Sequence, residues 1–244
     1  MKIKNQSFLF LLLTSLLVTC LFTACEFIDR EHIRGNGNIF TEERKVNGVR
    51  DLQVSGAFVV VLSQNDDEGV KIETDENLMD YIQVEVLGGT LKIYSTANLS
   101  PTKKMLVHIS FKSLDEIDIS GAVRLSSEHD LSFNRIRLHG SGASEIDLGI
   151  EAVQIGIDVS GASKVSLRGS AENLSVDGSG ASKIYAADLQ CEIVNVNISG
   201  ASYAEVWADD KLSVEASGAS KVKYKGSVTN IRQSTSGASD VIKM

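Results

Sequence analysis

From residue 116 to the C-terminus, apolar and polar positions alternate with a period of two, and the alternation breaks and resumes at nearly constant intervals. The break is a tripeptide, Ser-Gly-Ala, beginning at Ser55, Ser120, Ser141, Ser160, Ser179, Ser199, Ser217 and Ser236; from Ser120 onward the spacings are 21, 19, 19, 20, 18 and 19 residues. Three residues before the first serine stand Ile117, Leu138, Ile157, Val176, Val196, Val214 and Gln233, and five before it, from the second repeat, stand Ile136, Ile155, Leu174, Val194, Leu212 and Ile231. Two before it the residue is polar: Asp118, His139, Asp158, Asp177, Asn197, Glu215 and Ser234. Five after it the alternation resumes out of phase with Leu125, Ile146, Val165, Ile184, Ala204, Val222 and Val241. A period of two is a strand with one buried face. Each repeat therefore predicts a strand, a corner and a second strand, with a third short side carrying residues such as Ala171-Glu172-Asn173.

The corner glycines, Gly56, Gly121, Gly142, Gly161, Gly180, Gly200, Gly218 and Gly237, give the chain access to positive φ at little steric cost. Alanine is small enough for the tight inside of a bend, and six of the seven corners from Ser120 onward add a further serine, Ser144, Ser163, Ser182, Ser202, Ser220 and Ser239, with Val123 the exception. Helical periodicity is missing here. Coils of 18–21 residues with recurring corners predict an all-β fold, a parallel β-solenoid whose rungs stack at about 4.8 Å, right-handed by the usual crossover rule. A meandering antiparallel sandwich is the alternative, but it does not require identical corners at constant spacing. With about five inward side chains a single coil cannot offset the entropy of ordering itself, so stability is cooperative along the stack.

The segment from Gly35 to Asp115 is less regular. Strand-like runs lie at 58–62, 70–73, 82–87, 91–94 and 106–111, with Gly88-Gly89 as a hairpin turn and 65–69 as a loop. This half, 41–115, reads as wider coils capping the regular stack at 116–244, and the two form one continuous domain. Residues 25–40 read as a tether.

The first 24 residues read as a secretory signal: Lys2 and Lys4, then the apolar run from Phe8, closing on Phe22-Thr23-Ala24-Cys25. That ending resembles a bacterial lipobox, which implies acylation of Cys25; Leu17-Val18-Thr19-Cys20 is a second candidate. A transmembrane helix is the rival, but no basic stop-transfer cluster follows. Glu26 is not an inner-membrane retention Asp, which by resemblance to lipoprotein sorting points to the outer membrane. Removing the signal leaves 22 basic against 32 acidic residues, a net charge of −10. That balance argues against nucleic acid as a partner. Cys191 is then alone, so no intrachain disulfide forms, and a buried structural role is its expected one.

Chemistry is scarce. The four His (His32, His108, His129, His139) show no metal-ligand spacing, and Ser-Gly-Ala recurs too often to be a nucleophile motif. No cofactor is expected. The outward column Asp118, Asp158, Asp177, Glu215, broken by His139 and Asn197, is the candidate cation site, because stacked carboxylates repel and a hard cation relieves this; a solvated face is the plain alternative. A second column, Arg124, Glu145, Lys164, Lys183, Tyr203, Lys221 and Asp240, has mixed signs and reads as a salt-bridged surface. Tyr185, Tyr203, Trp207 and Tyr224 could stack on sugars, but their offsets from the corner differ, so they form no single track. Short corners without long insertions separate the chain from glycan-active β-helix enzymes.

Arg34-Gly35-Asn36-Gly37-Asn38, then Val54-Ser55-Gly56-Ala57-Phe58-Val59-Val60, Glu76-Asn77-Leu78 and Gly89-Thr90-Leu91-Lys92-Ile93, together with the Ser-Gly-Ala ladder, resemble the putative auto-transporter adhesin, head GIN domain family over residues 34–244. The resemblance implies a parallel β-helical lipoprotein or secreted protein with an adhesin-type role. No catalytic or binding residue is carried over with it. The expected protein is a lipid-anchored, non-enzymatic envelope module. Flat faces with ladders of Ser, Asp and Lys would meet a glycan or protein. A structural or stress-related envelope protein without a ligand is the competing reading, and a glycan-active enzyme the third. The last coil ends on an open strand edge, which predicts self-association there, with Lys243 as a gatekeeper.

Overall fold

The computed structural model describes residues 31–244. The expected signal peptide, both lipobox cysteines (Cys20 and Cys25) and the start of the tether lie outside the described residues. His32–Met244 forms one continuous unit. It is a β-solenoid of about seven turns with parallel strands stacked about 19 residues apart.

The regular stack comprises, after nine strands of the cap, β10 (Glu116–Gly121), β11 (Arg124–Ser127), β12 (Leu131–Gly140), β13 (Glu145–Val159), β14 (Lys164–Gly178), β15 (Lys183–Ile198), β16 (Tyr203–Ala216), β17 (Lys221–Lys225), β18 (Asn230–Thr235) and β19 (Asp240–Lys243). Strands β13 to β16 each run through nearly a whole coil, from one Ser-Gly-Ala corner to the next. The register follows the repeat: Asp118 lies beside His139, His139 beside Asp158, Asp158 beside Asp177, Asp177 beside Asn197 and Asn197 beside Glu215.

The corners stack as the glycines require. Gly142, Gly161, Gly180, Gly200, Gly218 and Gly237 all have φ between 71° and 77°. A Cβ on Gly161 would sit 2.6 Å from the carbonyl oxygen of Gly142, and the other stacked corners repeat this approach. Glycine is thus needed twice, for its backbone conformation and for the coil beneath it. Each corner alanine donates its N–H to the preceding coil's glycine, as Ala162 does to Gly142 at 2.8 Å. Its methyl points out of the bend and is exposed, not packed on the inside as expected. The following serine turns inward: Ser144, Ser163, Ser182, Ser202 and Ser220 are buried. Ser163 Oγ donates to Ser160 O at 2.8 Å, and Ser144 Oγ donates to Ser163 Oγ at 3.0 Å. This serine row is therefore internal, whereas the first serine of each corner, such as Ser160 or Ser179, stays half-exposed or exposed, so only that row is displayed as the expected Ser ladder.

Each coil from β13 to β16 buries about five to seven apolar side chains, in line with the five or so inward positions expected. Between its corners the coil of β15 buries the most, Ile184, Ala186, Leu189, Cys191, Val194, Val196 and Ile198. Bulky and minimal side chains alternate along the axis in the column Ile119, Gly140, Val159, Gly178, Ile198, Ala216. A Cβ on Gly178 would come within 3.1 Å of Ile198 Cγ2, so each large residue fills the space that a glycine leaves.

The N-terminal cap holds β1 (His32–Arg34), β2 (Ile39–Lys45), β3 (Asp51–Gly56), β4 (Phe58–Gln64), β5 (Gly69–Asp75), β6 (Ile82–Leu87), β7 (Thr90–Ser95), β8 (Asn98–Ser100) and β9 (Met105–Phe111), with a 3-10 helix at Glu76–Tyr81. β3 and β4 continue the solenoid beneath β10 and β11, and β7 and β9 lie beneath those in turn, all parallel. The remaining strands are not wider coils. β2, β5 and β9 pair antiparallel, and β6 folds back on β7 through Gly88-Gly89, the expected hairpin. Part of the expected tether is built into the fold, since β1 pairs with β8 and β2 with β5.

Candidate functional site

The parallel register turns each sequence column into a row along the rod, and two faces result. On the strand before each corner, the outward row of Gln53, Asp118, His139, Asp158, Asp177, Asn197 and Glu215 is acidic and amide-rich. Two of its carboxylates, Asp118 and Asp177, are met by neighbouring amide donors. Gln53 Nε2 donates to Asp118 at 3.3 Å and Asn197 Nδ2 to Asp177 at 3.0 Å, while His139 stands 3.9 Å from both Glu116 and Asp158. Among the described residues no three His, Cys, Asp or Glu gather as metal ligands. The row Asp118, Asp158, Asp177, Glu215 thus spreads its charge along the axis instead of converging on a point.

The strand after each corner carries mixed signs, as expected, with acids such as Glu145, Asp147 and Asp240 set among the cations, which predominate only in the middle coils. From β14 to β17 its outward positions include Lys164, Arg168, Lys183, Lys221, Lys223 and Lys225, interleaved with Tyr185, Tyr203 and Trp207. The aromatic rings occupy different rows, as their offsets predict, yet they share this face; the Tyr185 and Tyr203 rings are 5.8 Å apart. Tyr224 instead packs against the core. Lysines of the next coil lie over the rings, Lys223 at 5.6 Å from Tyr203 and Lys225 at 4.6 Å from Trp207. Acids temper the strip: Lys223 is 3.6 Å from Glu205 and Lys225 3.7 Å from Asp188. At its upstream end Lys164 donates to Glu145 at 2.8 Å, and that hydrogen bond, with the nearby charge of Arg124, holds the Glu145 carboxyl below its usual range despite partial burial. Lys183 makes no ion pair among the described residues.

Two carboxylates hold the fold rather than a ligand. Asp209 accepts from Gln190 Nε2 (2.7 Å), Trp207 Nε1 (3.0 Å), and Ser227 N and Oγ (3.1 and 3.0 Å), and these bonds lower it to about 2. Asp75 is fully buried and accepts from Gly37 N (2.7 Å), Thr102 N (2.8 Å) and Thr102 Oγ1 (2.7 Å). Burial pushes it up, but the donors outweigh this and its pKa is lowered. Asn77 completes the clasp by accepting from Asn36 N and donating to Arg34 O. Gly35 must lack a side chain because its Cβ would overlap the Asp75 carboxylate. The motif at 34–38 is therefore a clasp for the cap. Cys191 lies in the core, and burial pushes its thiol up to about 12, which makes it inert. No helix among the described residues is long and apolar enough to cross a membrane.

Residues 50–227 match the family model described as putative auto-transporter adhesin, head GIN domain. No curated protein matches the chain. Among solved structures, a putative adhesin from Bacteroides fragilis is similar with a TM-score of 0.83 and 21% identity, covering 87% of this chain and 100% of its own. A putative lipid binding protein from Parabacteroides distasonis gives 0.74 and 23%, covering 88% and 100%. A putative adhesin from Parabacteroides merdae gives 0.67 and 19%, covering 88% and 99%. At these identities the likeness is one of fold.

Proposed function

The chain belongs to the putative auto-transporter adhesin, head GIN domain family, and from that premise we propose that it is a non-enzymatic, lipid-anchored module of the outer membrane that binds a macromolecule along its lysine–aromatic face. The observation that carries this is the strip itself. A chain with a net charge of −8 gathers six cations and three aromatic rings on one flat face of four successive coils. Cationic side chains beside ring faces suit an acidic partner, glycan or protein. The anchor in this reading is Cys25, and the clasp at 34–38 leaves only a short spacer between it and the cap.

Binding of the chain carrying Cys25→Ser to an array of glycans and matrix proteins tests the face. Lys183→Glu with Lys221→Glu should abolish whatever binding the unaltered chain shows. Labelling cells with a radioactive fatty acid should mark the chain with Cys25 and not with Cys25→Ala, and added protease should reach the domain on intact cells if it faces outward. A structural role without a ligand is favoured by one observation, that Lys223 and Lys225 already have acid and ring partners within the protein. An array without binders, together with loss of stability in Lys223→Ala, would establish that role. In the same proposal a second copy pairs on the edge of β18 and β19, where Ile231 and Ile242 are exposed. Light scattering that shows a monomer at high concentration would remove this part.

A further inference from the structure

Four residues, 112–115, join β9 to β10 where later coils place a third side. As a result β12 pairs with β13 from Leu131 onward but meets β10 only from Arg137. Among the described residues no strand covers the other edge of 131–136. Gln64 closes part of it: its Oε1 accepts from Ser132 N at 2.8 Å, and its Nε2 donates to Ser132 O at 3.0 Å. The remainder is a groove of about 560 Å³ floored by Leu114 and Phe133.

Three guanidiniums rim this groove. Arg50 donates from Nη2 to Asp115 at 2.7 Å, and Arg137 donates from Nε and Nη2 to a single oxygen of Glu116 at 3.1 and 2.8 Å. Arg135 donates from Nε to the neutral amide oxygen of Gln154 at 2.8 Å and makes no ion pair among the described residues. A guanidinium has five N–H donors in a fork that fits a carboxylate, so most donors of this trio remain for a ligand. Ser113 and Asn134 add neutral hydrogen-bonding groups along the wall.

We propose that this groove binds a carboxylate-bearing oligosaccharide. The arginines would take the carboxylate, and the serine and asparagine side chains the sugar hydroxyls. A peptide strand fits less well, because Gln64 already holds the N–H and C=O of Ser132 that such a strand would use. The site is separate from the lysine–aromatic face.

The full chain in detergent would be titrated calorimetrically with a galacturonate oligomer, with its methyl ester and with poly-glutamate. Binding of the acid form alone, weakening with salt, is expected. Arg135→Ala and Arg50→Gln should each weaken it about tenfold or more without moving the melting temperature, since both side chains are exposed. Lys183→Glu should leave it unchanged, which separates this site from the face proposed above. No binding, equal binding of the ester, or affinity untouched by Arg135→Ala would overturn the proposal. Tighter, arginine-dependent binding of poly-glutamate would also overturn it and would make the groove a peptide site.

Discussion

The regular stack and the cap use the same sheet but different means of holding it. In the stack, each coil repeats one backbone solution, in which a left-handed glycine lies on the glycine below and the next alanine bonds down to it. Side chains on the outward rows take no part in that solution, so the two faces can differ in charge without disturbing the fold. In the cap the repeat fails, and individual side chains close the structure: Asp75 ties Gly37 to Thr102, Asn77 holds Arg34 and Asn36, and Gln64 substitutes for a missing strand. Repetition therefore leaves the stack's surface open to variation but its corner backbone fixed, whereas the cap depends on a few particular side chains.

The sharpest test of that contrast is a pair of identical substitutions. Gly161 and Gly37 both have positive φ, 71° and 85°, but a Cβ on Gly161 meets the Gly142 backbone while one on Gly37 meets nothing within 4 Å. Gly161→Ala should cost about 4 kcal/mol or more, by denaturant unfolding, because overlap adds to the conformational penalty. Gly37→Ala should lose only about 1–2 kcal/mol, the penalty alone. Equal losses would mean that stacking at the corners does not matter.

The next largest effect belongs to the clasp. Asp75→Asn removes the charge from three converging donors and turns an amide N–H₂ toward some of them. Amide exchange should quicken in β1, β2 and β8 while β13 to β16 keep their protection. A uniform loss would show that cap and stack unfold as one unit, and the contrast would fail.

Acid should act on both regions through carboxylates lowered in the folded state. A lowered pKa contributes stability that is complete above the unfolded value of about 3.9 and is lost as pH falls through the folded one. For Asp209, at about 2, that window runs from about pH 4 to about pH 2. Thermal melts across it should fall more steeply for the unaltered chain than for Asp209→Asn. Asp75, lowered in the same direction, keeps part of the slope in that variant.

Much of the stack was legible because its signals repeat. The columns beginning with Ile117 and Asp118 give the strand register, and the glycine column gives the corners. The burial of the second corner serine was also legible, because Val123 occupies that position in one coil and an apolar residue there marks an inward site. The cap was less so. Its antiparallel strands have no internal copy to align with, and nothing in a local pattern tells a buried Asp75 from an exposed acid at a strand end. The arginine groove depends on the length of one connection, 112–115, and on residues from three separate segments. Column reading cannot bring such residues together.

The smallest effect tests whether the internal serines behave as a connected row. Ser144 Oγ donates to Ser163 Oγ, which donates to Ser160 O, so Ser163→Ala leaves the Ser144 hydroxyl buried without its acceptor. That variant should cost about 1–2 kcal/mol, more than the loss of one hydrogen bond between groups that can reach water. Ser144→Ala should cost less, since Ser163 keeps its bond to Ser160. The double variant should cost less than the sum of the two, with a coupling of about 0.5–1 kcal/mol, because the second substitution removes the hydroxyl that the first one stranded. The same cycle between Ser144 and Ser220, which lie several coils apart and share no hydrogen bond, should show additivity. Coupling there would mean that the row transmits strain along the rod, and the stack could not then be treated as neighbouring coils that interact only in pairs.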